Sequence, residues 1–348
     1  MKRYFYALMT DQRNDPLSFL VKGFLFLFAS FFRLLVGVRD FFWRKGFLKA
    51  RKIPVTIISV GNITVGGTGK TPFVKWLVRA LHSRGKKIAV LTRGYQKMGE
   101  DLSDEVLELR HALPDVPVWM GKDRVKLAEK ALSENMDLVV LDDGFQYRKL
   151  HRDLDIVLVD ATNPFGNGKM LPRGILREGP ASLRRADVLV LTRTDGEDGK
   201  GGVLEQFLRG CAPDSPILFS AHRTRRFYDA RTKEEVPVEV LQRERLVSFC
   251  GIGNPAAFRH LLEENGLQPV ESISFMDHYF YTEKDLEGID EMADSRDAGC
   301  LVTTEKDFER LKALDLWPAT RLVVMEVELV MIKNENELLR RLDTLLSR

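Results

Sequence analysis

Cysteine is scarce in this chain. There are three in 348 residues, Cys211, Cys250 and Cys300, far apart, odd in number and without a Cys-x-x-Cys pair. That pattern excludes a disulfide framework and a zinc ribbon, and it fits a reducing compartment. Long apolar runs are also missing. The stretch from Leu17 to Val38 is broken by Lys22 and Arg33, leaving ten uncharged residues, Gly23 to Phe32, against the roughly 20 that span a bilayer. A cleaved signal peptide is not expected, because Asp11 and Asp15 precede this run and no Ala-x-Ala site follows it. Net charge is small, +3, while 44% of residues are apolar and 30% charged. That balance excludes a disordered or collagen-like chain, and the length suits two domains at roughly 150 residues each.

The small net charge hides an uneven distribution. Residues 1–52 hold eleven Lys/Arg against three Asp/Glu, a net +8, which leaves −5 for the other 296 residues. The same segment holds ten of the 21 phenylalanines. A basic, aromatic-rich leader fits an anionic, greasy surface, a membrane face rather than nucleic acid. Lys22 and Arg33 are eleven residues apart, so on a helix they fall within about 20° of each other. Ser18 and Ala29 share that stripe, and Phe, Leu and Val cover the rest. The spacing predicts an amphipathic helix lying in the interface, with Arg39, Arg44, Lys45, Lys49, Arg51 and Lys52 meeting lipid phosphates. A buried helix of the main domain is the competing reading.

After Pro54 a β-branched run, Val55 to Val60, reads as a buried strand. It enters Gly61-Asn62-Ile63-Thr64-Val65-Gly66-Gly67-Thr68-Gly69-Lys70-Thr71-Pro72, followed by Phe73, Val74, Leu77, Val78 and Leu81 at helical spacing. Strand, glycine-rich turn, Lys-Thr and helix constitute a phosphate-binding loop, here over Thr64 to Thr71. Backbone N–H groups and the helix dipole would cradle the phosphates, with Lys70 on the β/γ-phosphates and Thr71 on Mg²⁺. Thr64 stands where the usual pattern has glycine. A second strand, Asp137 to Leu141, ends in Asp142-Asp143-Gly144, where such folds hold the Mg²⁺ shell. Either acid fits. Strands at Ile156–Asp160 and Val188–Thr192 and a helix at Val125–Leu132 continue the alternation, predicting a doubly wound, mostly parallel α/β sheet of P-loop type. Ligands of such a sheet bind at the carboxyl ends of its strands.

These residues also carry a family resemblance. The phosphate loop, Arg93-Gly94-Tyr95, Asp142-Asp143-Gly144-Phe145-Gln146, Gly166-Asn167-Gly168, Leu171-Pro172 with Arg177-Glu178, Gly251-Ile252-Gly253-Asn254-Pro255, Asp277-His278-Tyr279 and Thr304-Glu305-Lys306-Asp307 occur in that order. Over residues 50–310 the chain resembles the tetraacyldisaccharide 4′-kinase family, the lipid A 4′-kinases of Gram-negative bacteria. Arg173 and Ile175 stand where that family has Ala and Pro, and Ser103 where it has Gly.

The resemblance implies transfer of the γ-phosphoryl of ATP, with Mg²⁺, to the 4′-hydroxyl of tetraacyldisaccharide 1-phosphate. It places the enzyme as a peripheral, monomeric protein on the cytoplasmic face of the inner membrane, with no nucleic-acid partner. It also implies Asp104 as the base for the sugar hydroxyl, paired with His278. Arg93, Arg124 and Arg177 are candidate phosphate clamps, and Glu105 a candidate metal ligand. Closure between Asp104 on a first domain and His278 on a second would assemble the site. The expected organisation is a leader at 1–52, a nucleotide-binding domain at 53–225, a linker at 226–245 and a smaller α/β domain at 246–348. The rival reading is a membrane-surface switch ATPase with no lipid acceptor. Such ATPases carry a second lysine where Val65 stands.

Overall fold

The computed structural model describes residues 8–9, 11, 15–94, 104–194, 200–277 and 279–347. In chain order the elements are α1 (Pro16–Arg44), β1 (Thr56–Asn62), α2 (Lys70–His82), β2 (Ile88–Thr92), α3 (Asp104–Ala112), β3 (Val118–Met120), α4 (Arg124–Ser133), β4 (Leu138–Asp142), β5 (Leu154–Asp160), β6 (Val188–Thr192) and α5 (Lys200–Cys211). There follow β7 (Ile217–Asp229), β8 (Glu235–Val236), α6 (Val238–Leu241), β9 (Leu246–Cys250), α7 (Pro255–Glu264), β10 (Glu271–Ser274), α8 (Glu283–Ser295), β11 (Cys300–Thr304), α9 (Glu305–Ala313), β12 (Arg321–Lys333) and α10 (Glu335–Leu346).

The chain forms two compact units. The first comprises Met1–Arg93, Val116–Ala221 and Met331–Arg348, and the second Gly94–Asp115 and His222–Val330. This division differs from the expected one. Residues 94–115 belong with the later half of the chain, and the C-terminal helix α10 returns to the first unit. The expected linker is instead a hairpin, β7 turning at Asp229 to pair antiparallel with β8. Strands β7 and β12 each carry the chain from one unit into the other.

In the first unit the strand order is β3-β2-β4-β1-β5-β6-β7, and every pair is parallel. The chain lays β2 and then the edge strand β3 on one side of β1 and returns to insert β4 beside β1, then builds outward on the other side through β5, β6 and β7. The order therefore reverses at β1, and a crevice opens at the carboxyl ends of its strands. The strands are continuous apolar runs because helices cover both faces of such a sheet. Ile57, Ile58 and Val60 of β1 and Val139, Val140 and Leu141 of β4 are buried, as is the α2 stripe of Phe73, Val74, Leu77, Val78 and Leu81.

Helix α1 runs 29 residues from its N-cap Asp15, whose carboxylate accepts from the Ser18 N–H at 3.0 Å. Ser18, Leu25 and Ala29 are buried, and Phe32 and Val36 pack on the core that holds Ile63, Phe145 and Val157. The polar stripe of the predicted interfacial helix is largely the docking stripe: Ser18, Lys22 and Ala29 face the body, while Arg33 stays exposed. Phe19, Leu20, Phe24, Leu27, Phe28, Phe31 and Leu34 are each more than half exposed. Two of the basic residues assigned to lipid pair within the protein instead, Arg39 with Glu178 and Arg51 with Glu129.

In the second unit the order is β10-β9-β11-β12-β7, with β9, β10, β11 and β12 parallel to one another. The Gly251 and Thr304–Asp307 strings meet here. The wholly buried Asp307 accepts from the Gly251 N–H (3.0 Å), the Thr304 hydroxyl (2.7 Å), the Tyr281 hydroxyl (3.1 Å) and Arg310 Nη1 (2.8 Å). Arg310, also buried, donates to the Gly251 carbonyl at 2.7 Å. Each charge is paired and saturated with hydrogen bonds, which is what makes such burial tolerable. Neither motif is a nucleotide loop; together they pin the end of β9 to helix α9.

Candidate active site

The phosphate loop leaves β1 at Asn62 and ends at Gly69, the cap of helix α2, which lies in the left-handed region at φ 84°. A side chain there would be strained, so glycine is required. Thr64 carries no such demand. Its backbone pairs with Leu176 in an isolated antiparallel bridge, and its buried hydroxyl accepts from Asn62 Nδ2 at 3.3 Å. This explains why threonine is accepted where the usual pattern has glycine. Gly61 answers a different need, since a Cβ there would lie 2.6 Å from the Cβ of Phe145. Val65, Gly66 and Gly67 form the exposed crest of the loop, while Thr68 and Gly69 are buried.

Asn62, wholly buried, is the hub behind the loop. Lys70 Nζ donates to its Oδ1 at 3.3 Å, and Arg177 Nη2 donates to the same oxygen. Gln146 Nε2 donates to its carbonyl at 2.8 Å. Register places Asp142, the last residue of β4, beside Val60, so Asp142 and Asp143 stand at the carboxyl end of β1. Asp143, at φ 51°, turns its carboxylate to a bidentate pair with Arg177 (2.8 and 2.9 Å), with Lys70 Nζ 3.6 Å away. Asp142 is 3% exposed. Lys70 and Arg177 thus both contact Asp143 behind the loop, with Asp142 at the same strand end.

The other candidates fall differently. Arg124 opens helix α4, is buried, and lies over the Tyr147 ring at 4.9 Å. Arg93 is exposed at the end of β2. Asp104 and Glu105 are the first two residues of α3, in the second unit; their side chains, and His278 entirely, lie outside the described residues. Asp104 and the segment flanking His278 belong to one unit, so the premise of a closure bringing them from separate domains does not hold.

Three residues at this site escaped the sequence reading. Thr192 Oγ1 donates to the Thr68 carbonyl at 3.0 Å. Arg193 Nη2 donates to the Gly67 carbonyl at 2.8 Å, and Arg193 also pairs with Asp160. Both hold loop carbonyls from behind. Their position at the carboxyl ends of β5 and β6 is the signal that marks them.

The site fits a magnesium nucleotide. Gly66 and Gly67 border open space, and Thr71 follows Lys70 at the start of α2. Among the described residues no three His, Cys, Asp or Glu could hold a metal ion by themselves. A phosphate-loop site does not need them, since it takes one hydroxyl, one carboxylate and phosphate oxygens.

A family model described as tetraacyldisaccharide-1-P 4′-kinase (LpxK) matches residues 21–347. The chain belongs to the tetraacyldisaccharide 4′-kinase family. The tetraacyldisaccharide 4′-kinase of Syntrophus aciditrophicus is 37% identical over 328 residues, covering 87% of this chain and 86% of its own. That of Geobacter sulfurreducens is 36% identical over 303 residues, covering 82% and 83%. The crystal structure of LpxK from Aquifex aeolicus in complex with ATP is similar at TM-score 0.72 and 29% identity, covering 94% of this chain and 99% of that one. As a tetraacyldisaccharide 4′-kinase, the chain uses ATP with Mg²⁺ to phosphorylate the 4′-hydroxyl of tetraacyldisaccharide 1-phosphate in lipid A synthesis. The switch-ATPase reading gives way to a kinase.

Proposed function

We propose that phosphoryl transfer is carried out by the following residues, on a membrane surface. The observation that carries the reading is the convergence of Lys70 and Arg177 on both Asn62 and Asp143 at the phosphate loop. The exposed crest at Gly66 and Gly67 and the start of α2 receive the phosphates, and Lys70 moves from Asp143 to the transferred group. Thr71 with Asp142, the last residue of β4, would hold Mg²⁺, beside the pair that Asp143 makes with Arg177. When bound, the ion neutralises charge on the phosphates. Arg177 has the fork geometry for a phosphate and lies within reach of the same acid. Arg93 and Arg124 serve less directly, Arg124 by fixing Tyr147. Asp104 accepts the proton of the 4′-hydroxyl, His278 orients the Asp104 carboxylate, and Glu105 would join the Mg²⁺ shell.

Transfer of labelled γ-phosphate to tetraacyldisaccharide 1-phosphate in detergent micelles tests these roles. Asp104→Ala and His278→Ala should each lower kcat by about 10²–10⁴-fold while ATP binding persists. Lys70→Ala should weaken both steps. Full activity in either Asp104→Ala or His278→Ala would refute the pairing.

The exposed apolar face of α1 supports a monotopic seat on the cytoplasmic side of the membrane. The helix is long and apolar enough to cross a bilayer by length and composition. However, it is docked to the first unit near both ends, through the Lys22–Asp11–Arg173 cluster and through Arg39 with Glu178. A helix so docked cannot cross without carrying polar body surface into hydrocarbon. Lying in the interface also spares lifting acyl chains from the bilayer, at about 0.8 kcal/mol per CH₂.

A further inference from the structure

One loop, residues 166–178, holds helix α1 near both ends. At the front, Arg173 Nη2 pairs with Asp11 at 2.5 Å, and Lys22 Nζ reaches the same carboxylate at 2.9 Å. Arg173 Nη1 also donates to the Leu8 carbonyl (3.1 Å), and Asn167 Nδ2 to the Met9 carbonyl (2.8 Å). At the back, Arg39 pairs with Glu178, whose other oxygen takes Arg185 at 2.5 Å. The Glu178 side chain is 1% exposed, so this carboxylate is buried between two guanidiniums, one of them from the helix.

The same loop is stitched to the phosphate loop. The Val65 N–H donates to the Ile175 carbonyl at 2.8 Å, and the Arg177 N–H to the Ile63 carbonyl at 2.8 Å. Thr64 bridges to Leu176. Arg177, which clamps Asp143, lies in the loop between the residues that hold the two ends of the helix.

A lipid anchor needs only its outward face. Fixing its inward face with a buried carboxylate and a four-group cluster at Asp11 has a cost in desolvation and side-chain order that anchoring does not require. Such contacts set a register between helix and loop. Arg173, which stands where the family resemblance expects Ala, adds a contact of this chain's own at the front.

We propose that helix α1 is a positioning element of the phosphoryl-transfer site. Arg39 and Arg173 are positioning residues: they hold loop 166–178, and the loop holds Arg177 and the start of the phosphate loop. The inference rests on the kinase site as placed above. It gives the leader a second task besides meeting lipid.

The test uses full-length Arg39→Ala, Arg39→Lys and Arg173→Ala. Three readouts are compared with wild type: kinetics of transfer in micelles at varied ATP, sedimentation with phosphatidylglycerol vesicles, and hydrogen exchange of peptides covering 62–66 and 174–178. Arg39→Ala should lower kcat/KM for ATP by about ten- to a hundredfold, the range expected for a misplaced site. Exchange in both peptides should quicken while vesicle binding is kept, and Arg39→Lys should recover most of the loss. Arg173→Ala should act in the same direction, and it remains informative if Arg39→Ala does not fold. Lost vesicle binding with unchanged kcat/KM and exchange would mean the contacts serve anchoring alone, and would overturn the proposal. Unchanged values in all three readouts would overturn it too. Wild type without transfer activity would instead sink the kinase site on which the proposal rests.

Discussion

Asp155 lies in β5 directly beside Ser59 of β1, 5% exposed, with Arg152 Nη2 2.8 Å from its Oδ2. Burial pushes its carboxyl up to about 6, against the pull of that guanidinium. The folded protein therefore holds this proton more tightly than the unfolded chain does. Asp155 favours folding at low pH, and that contribution is lost as pH rises from about 4 through about 6. Asp155→Asn removes the titration. The difference in Tm between variant and wild type should shift in the variant's favour between pH 4 and 7, whatever its offset at pH 4. A difference that does not change with pH would show that Asp155 stays ionised throughout. Elsewhere, burial pushes the Cys250 and Cys300 thiols up to about 12. They act as small apolar groups, consistent with a chain that makes little use of cysteine chemistry.

At the scale of elements, α1 divides its labour between faces. Phe24 and Phe28, 68% and 61% exposed, pack on nothing that supports the fold. Changing both to Gln should leave Tm nearly unchanged, since exposed substitutions stay within about 0.5 kcal/mol. Each removes a ring whose burial in lipid is worth about 1.5–3 kcal/mol. Partition onto anionic vesicles should therefore fall by about a hundredfold or more, measured by sedimentation. A fallen Tm with unchanged partition would mean that this face covers protein instead. The amphipathic character of α1 was legible from spacing alone. Its orientation was not: Asp11, the partner of Lys22, is itself held by Arg173, and only that contact turns the Lys22 side of the helix toward the body.

For the molecule as a whole, each unit has its own core, and the phosphate loop, β4 and loop 166–178 all belong to the first. Mg-ATP at about 100 times its Kd should stabilise the state that binds it by about 2.7 kcal/mol. Hydrogen exchange should show that protection first at the end of β1, the phosphate loop and the start of α2. Stabilisation without protection at Gly61–Thr71 would place the nucleotide elsewhere.

The sequence by itself determined the nucleotide chemistry. Strand, glycine turn, Lys70-Thr71 and helix are contiguous, so their geometry follows from local backbone preferences, and Asp142-Asp143 announces itself at a strand end. Two things were decided by tertiary structure. One is the division of the chain, in which residues 94–115 join the second unit and 331–348 the first. The other is the set of partners behind the loop: Thr192, Arg193, and the arginines gathered on Asp143 and Glu178. Hydrophobic periodicity reports which face of an element is buried, but not which distant element buries it. A charged side chain likewise carries no local mark of its partner, because ion pairs form between residues that only the packed sheet brings together.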